Sequence, residues 1–97
     1  MNPKIIDAIE NRNLLEFYYD GHYRLVEPHT YGCSSKGNDI LSAYQIEGTS
    51  EEGGIPDWRL FTTSEIIGLR KTDFTFSGTR PKYGRGDSRM REIYIEL

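Results

Sequence analysis

The chain has 97 residues, 36% of them hydrophobic, and its net charge at pH 7 is −3. This length allows one hydrophobic core, and seven Tyr, four Phe and one Trp argue against disorder, so we predict a single domain over residues 1–97. The net charge, taken alone, argues against a strong nucleic-acid binder. No apolar run approaches the roughly 20 residues that cross a bilayer. The N-terminus also lacks a signal-peptide pattern, and we expect a cytoplasmic protein with no membrane partner.

The first predicted elements are a helix and a hairpin. Asn2-Pro3 supplies an N-cap and a first helical residue for a short amphipathic helix. Leu14 to Tyr19 and Tyr23 to Tyr31 have strand composition on either side of the turn signal Asp20-Gly21. Pro28 cannot donate a ladder hydrogen bond, so the second strand is predicted to lie at an edge, to bulge or to break there.

Three further strands are predicted, over Ile40 to Ile46, Trp58 to Thr62 and Ile66 to Leu69. Gly48 to Asp57 has the glycine, serine and acidic content of a solvated loop. Five short strands with tight turns predict a mainly β (α+β) fold, either a small barrel or a strongly curled sheet.

The C-terminal part is less regular. Phe74 and Phe76 are predicted to anchor it to the barrel, and a loop follows. Residues 88–97 fit two alternatives. Four apolar residues on one helical face indicate a short helix, whereas the β-branched run EIYIEL suits a last strand; both stay open.

The charges are unevenly distributed along the chain. Residues 70–91 hold seven basic and two acidic residues, whereas the remainder holds five basic and thirteen acidic residues. A mildly acidic domain of this kind can still present one basic face.

Sites of catalysis or metal binding are not indicated. The best zinc ligands on offer, His22, His29 and Cys33, lack the paired spacing of zinc sites. The sequence contains no phosphate-binding glycine loop and no nucleophile elbow. We therefore predict a protein that is not an enzyme, with a hydrolase as the remaining alternative, and that uses no metal or cofactor.

An ordered series of short motifs resembles the WYL domain over most of the chain. The series is an IxxAI helix, then LLEFYY, YRLVEPH, LSAYQ, and WRLF followed by SEIIGL. Its most specific part is Arg24, Val26, Glu27 and Pro28 after a hairpin turn. Residues 58–97 look like the compact, free-standing members of the family. Asp39, Ile40 and Leu41 occupy the position of the triad that names it.

This resemblance implies a five-stranded Sm/SH3-like barrel with an N-terminal helix and a C-terminal extension. It also implies a ligand-sensing regulatory module linked to bacterial transcription regulation or phage defence, with nucleic acid as the ligand of some members. Because the chain has no helix-turn-helix, we expect a protein partner in trans that carries a DNA-binding or effector domain.

The predicted ligand is anionic, with a nucleotide or short single-stranded nucleic acid as the candidates. Arg24 would bind the anion or form a salt bridge to Glu27 or Glu47. His29 would donate a hydrogen bond to the ligand or have its hydrogen bonds satisfied by nearby groups of the protein. Aromatic residues would stack on the ligand or pack in the core. The full set of candidate ligand-binding residues is Arg24, His29, Tyr44, Arg59, Arg80, Lys82, Tyr83 and Arg85. The alternative is a protein-interaction or homo-oligomerisation module that binds no small ligand.

Overall fold

The computed structural model describes all 97 residues, Met1–Leu97. It shows a mainly β protein with one helix, α1 (Pro3–Asn11), and six strands in one antiparallel sheet. No helix is long and apolar enough to span a membrane. The strands are β1 (Asn13–Tyr19), β2 (His22–Ser34), β3 (Asp39–Gly48), β4 (Asp57–Thr62), β5 (Ile67–Thr75) and β6 (Met90–Glu96).

The N-terminal helix begins where the sequence predicts. The Asn2 side chain accepts hydrogen bonds from the backbone N–H groups of Lys4 and Ile5, and proline occupies the first helical position. Both features favour a helix start because they satisfy or remove backbone donors that have no partner inside the helix. The buried face of α1, which includes Ile5 and Ile9, packs into the core of the domain.

The predicted hairpin is also present. Asp20 and Gly21 both have positive φ, 52° and 75°, as a two-residue turn between twisted strands requires. The following strand, β2, is long and pairs with β3 along most of its length, with β1 near its start and with β6 near its end. Its register with β3 shifts between Pro28 and Thr30, which confirms the predicted irregularity at this proline.

The sheet has the strand order β4-β3-β2-β1-β5, with β6 beside β2. No pairing joins β4 to β5, so the sheet is not closed. Strand β6 confirms the strand alternative for residues 88–97 and adds a sixth strand to the five predicted, so the helical alternative is wrong. Phe74 does not anchor the C-terminal part, because it is 68% exposed; Phe76 stacks on the ring of His29.

The two sides of β2, β3 and β4 pack against different parts of the chain. Residues paired directly across strands point to the same side. The side that carries Leu41 and Phe61 is the core side, which α1 covers. The opposite side carries Ser42, Leu60 and the pair Tyr44 and Trp58. Residues 76–89, the C-terminal segment, contact this second side through Phe76, Arg80, Tyr83 and Arg89.

Candidate functional site

A cleft of about 370 Å³ lies between the second side of the sheet and the C-terminal segment. Its wall on the sheet comes from β2, β3 and β4, and its opposite wall comes from the loop that precedes β6. The lining residues are Thr30, Ser42, Trp58, Arg59, Leu60, Lys82, Tyr83, Gly84, Asp87, Ser88 and Arg89.

The C-terminal segment is held on the sheet by one ion pair and by aromatic contacts. Arg80 donates through Nε and Nη2 to the two carboxylate oxygens of Glu27, at 2.6 and 2.8 Å, and its guanidinium lies 4.8 Å from the centre of the Tyr44 ring. The hydrogen bond to Glu27 raises the pKa of Arg80. The indole N–H of Trp58 donates to the Pro81 carbonyl at 2.9 Å. The position of the cleft wall is therefore fixed at Arg80 and Pro81.

Two aromatic rings line the cleft. Trp58 and Tyr83 lie with their ring centres 6.2 Å apart and their planes only 18° from parallel. The Tyr83 hydroxyl donates to the Leu97 carbonyl at 2.9 Å, which fixes this ring on the end of the chain. Flat aromatic surfaces of this kind bind planar ligands such as nucleobases by stacking.

His29 lies behind the cleft and supports both rings. It is fully buried, with ring centres 4.7 Å from Trp58 and 5.1 Å from Tyr83. Its Nε2 accepts the Arg80 backbone N–H at 3.2 Å, so its Nδ1 carries the proton and donates to the Glu27 carbonyl at 2.8 Å. Burial lowers its pKa. Both ring nitrogens are already bonded, and His29 has no donor to offer a ligand.

The cleft contains one positive charge without an ion pair, that of Lys82, and one that is neutralised by a carboxylate, that of Arg89. Lys82 forms no ion pair. Arg89 donates to both carboxylate oxygens of Asp87, at 2.6 and 3.0 Å, and reaches the Ser42 hydroxyl at 3.5 Å. The hydrogen bonds from Arg89 keep the pKa of Asp87 below its usual range, and those to Asp87 raise the pKa of Arg89. Around the rings, the cleft is thus weakly positive.

Arg59 lines the cleft, but its guanidinium is bonded in part to groups that do not line the cleft. Arg59 pairs with Ala43 in the sheet and shares the core side with Phe61. Its guanidinium donates to the Trp58 carbonyl at 2.9 Å and to Ser50 Oγ at 3.2 Å, and it also contacts Gly53. A free role for Arg59 in the cleft is therefore not indicated.

Arg24 lies outside the cleft altogether. It is 3% exposed, and its guanidinium donates to Gln45 Oε1 and to the Tyr19 carbonyl, both at 3.1 Å. The alternative of a salt bridge to Glu27 or Glu47 is wrong, because neither carboxylate pairs with it. Glu27 pairs with Arg80 instead.

The structure brings together three of the eight predicted ligand-binding residues, Arg59, Lys82 and Tyr83, in the cleft wall. Tyr44, His29 and Arg80 form the layer that supports the C-terminal segment, and Arg85 pairs with Glu96 at 3.0 Å, 71% exposed. Sequence reasoning missed Thr30, Ser42 and Arg89. The two hydroxyls carry no sequence signal, whereas Arg89 belongs to the basic stretch that was recognised.

No group of three His, Cys, Asp or Glu side chains is arranged to hold a metal ion. Comparison of the chain with protein-family models, with curated proteins and with solved structures finds no match.

Proposed function

We propose that this protein is a ligand-sensing regulatory module whose cleft binds an anionic ligand with a planar group, either a nucleotide or a short single-stranded nucleic acid. The observation that carries the proposal is the pair of nearly parallel rings, Trp58 and Tyr83, beside the unpaired Lys82 in one cleft. Stacking holds a base without regard to its identity, and a lysine holds a phosphate as a point charge.

The other polar groups of the cleft suit the same ligand. The hydroxyls of Thr30 and Ser42, which line the cleft, are donors and acceptors for a sugar or phosphate. The volume, about 370 Å³, lies in the range of small-molecule sites.

The wider assignment follows from the resemblance to WYL domains. We place the chain, residues 1–97, in that family as a cytoplasmic bacterial module in transcription regulation or phage defence. Its six-stranded sheet would correspond to the family's Sm/SH3-like barrel, and a partner in trans would supply the DNA-binding or effector domain. A ligand that contacts Lys82 and Tyr83 would change the position of the C-terminal segment. A protein partner would bind this segment and so respond to the ligand.

Titration with nucleotides tests the proposal, because Trp58 is the only tryptophan of the chain and reports on the cleft. We expect AMP, ATP or a short labelled oligonucleotide to change its fluorescence in a saturable way at low salt. Lys82→Gln removes the free charge, and we expect it to weaken binding about tenfold, the scale of one hydrogen bond to a charged group.

The matched control is Lys36→Gln, because Lys36 is an exposed lysine in the turn between β2 and β3. It makes the same change in net charge and should leave binding unchanged. Absence of any fluorescence change in the folded protein, or an equal loss in both variants, would contradict the proposal.

A protein-interaction or homo-oligomerisation module is the second candidate function. It is favoured by the exposed pair Tyr18 and Ile67, 53% and 69% exposed, which lie opposite each other in β1 and β5 at the open edge of the sheet. A stable dimer or ring in light scattering, unchanged by nucleotides, would favour this candidate over the first.

A further inference from the structure

Two arginine side chains hold the only buried side-chain nitrogen or oxygen atoms that lack a hydrogen-bond partner. These atoms are the Nε atoms of Arg24 and Arg59. Buried N–H groups in proteins are nearly always paired. Two unpaired groups of the same chemical kind, both cationic, therefore point to a partner of one kind, an anion.

The two guanidinium groups lie beneath the same segment, residues 48–57, which we call the acidic cover. Arg24 donates to Gln45 Oε1, and the Gln45 amide donates to the Thr49 carbonyl of the cover at 3.1 Å. Arg59 donates to Ser50 Oγ, on the next residue. Burial lowers the pKa of Arg24, the negative charges of Asp20 and Glu52 raise it in part, and the positive charge of Arg59 lowers it. Charges of the acidic cover and of Arg59 thus both act on Arg24.

The charge of Arg24 has no counter-ion in contact. No carboxylate lies within ion-pair distance of it, and its guanidinium lies 5.6 Å from the ring centres of both Tyr19 and Phe61. Arginine keeps its proton even when it is buried. A buried positive charge of this kind is costly for the fold unless a bound anion compensates for it.

The acidic cover contacts Arg59 as an anion would. Ser50 Oγ and the carbonyl oxygens of Gly53 and Gly54 accept hydrogen bonds from its guanidinium. The carboxylates of Glu52 and Asp57 lie 3.9 and 3.5 Å from it, and the Glu52 contact is too long for a hydrogen bond. A tetrahedral oxyanion offers the same oxygen atoms to a planar guanidinium, with better geometry.

We propose that Arg24 and Arg59 form a second binding site, for an oxyanion of the phosphate type, which the acidic cover closes in this structure. The anion would replace the oxygen atoms of the cover and accept hydrogen bonds from the two unpaired Nε–H groups. Arg59 also lines the cleft, but it lies on the core side of β4, whereas Trp58 lies on the opposite side, so the new site does not depend on the proposed function. The phosphate is either a free ion or part of an ester.

NMR observation of the arginine Nε–H signals tests this site directly. We expect inorganic phosphate to shift the Arg24 and Arg59 signals in a saturable way, and chloride at equal ionic strength to leave them unchanged. Glycerol phosphate, which has no planar group, separates the two sources: a stronger response than that of inorganic phosphate identifies an ester as the ligand. Absence of a shift with either compound overturns the proposal, as does a response of Trp58 fluorescence alone.

Two neighbouring glutamates provide a matched pair of variants. Glu52→Gln weakens the competing contact of the cover with Arg59, and we expect phosphate to bind roughly two- to fivefold tighter, the scale of an exposed ion pair. Glu51→Gln makes the same charge change, but Glu51 contacts His22 at 3.4 Å and not Arg59, so phosphate binding should be unchanged. Equal effects of both variants would mean that only the overall charge matters and would overturn the site.

Thermal unfolding gives a second measurement of the same equilibrium, because a ligand that binds the folded state raises its melting temperature. We expect phosphate to raise the melting temperature more than chloride does, and Arg59→Gln to abolish the difference. A phosphate effect that persists in Arg59→Gln would place the anion elsewhere.

Discussion

His29 makes the stability of this protein dependent on pH near neutrality. Burial lowers its pKa below the ordinary value of 6.5, so the folded state keeps the ring neutral at a pH where the unfolded chain takes up a proton. The unfolded state therefore binds more protons, and the free energy of unfolding must fall as the pH falls below about 6.5. Asp7, Glu16 and Asp87 have lowered pKa values and act in the same direction, but only near and below their ordinary values of about 4.

Urea unfolding between about pH 7.5 and pH 5 checks this prediction, since this range contains the ordinary histidine pKa. We expect stability to decrease across the range in the wild type and in His22→Gln, because His22 is partly exposed and its ring bonds only Thr49 and Glu51. NMR titration of the wild type gives the same answer without a variant: the His29 ring should stay neutral at pH values where an ordinary histidine is protonated. A His29 signal that titrates at the ordinary histidine pKa of about 6.5 would contradict the prediction.

Among the elements, β6 depends on a close approach to β2 at Gly32. A Cβ at this position would lie 2.3 Å from the Glu92 carbonyl oxygen and 2.8 Å from Met90 Sδ. Because the clash is partly with backbone, β6 must move away in Gly32→Ala, and we expect a loss of about 2 kcal/mol in the free energy of unfolding, typical of overpacking. Urea unfolding measures the loss, and faster hydrogen exchange of the β6 amides locates it.

Gly78→Ala is the matched control, because a Cβ there meets nothing within 4 Å. Its stability should stay within about 0.5 kcal/mol of the wild type. Similar losses in the two variants would show that glycine flexibility, and not the approach of β6, determines the result at Gly32.

This approach of β6 also explains why the sequence left residues 88–97 undecided. One helical face fits Met90, Ile93, Tyr94 and Leu97. Local periodicity carries no information about the edge of β2 that is free for pairing after the bulge at Pro28. The helix α1 and the β1–β2 hairpin were predictable because their signals, an N-cap with proline and a two-residue turn, are local. Residues 90–96 form a strand and not a helix because they pair with β2, as Ile93 does with Gly32.

Across the whole molecule, folding neutralises most of the charge asymmetry that the sequence displays. Of the seven basic residues between 70 and 91, five form ion pairs, and four of these pairs are with acids outside that stretch. The pairs are Arg70 with Glu16, Lys71 with Asp7, Arg80 with Glu27, Arg85 with Glu96, and Arg89 with Asp87 within the stretch. Composition predicted a basic face, but a count of charges cannot show which of them pair. The folded chain leaves Lys82 and Arg91 of this stretch unpaired.

The salt dependence of oligonucleotide binding measures how many of these charges a phosphate backbone can use. For single strands, the slope of log affinity against log salt is about −0.7 for each phosphate neutralised. Two free cations predict a slope between roughly −1 and −2, whereas an open basic face of seven would give roughly −5. Fluorescence anisotropy of a labelled single strand over a series of salt concentrations determines the slope.

A slope steeper than about −3 would mean that the ion pairs of Arg70, Arg80 and Arg85 open on binding. The ligand would then be a strand that extends well beyond the cleft. A shallow slope would restrict the nucleic-acid ligand to a nucleotide or a very short strand held by Lys82, Trp58 and Tyr83.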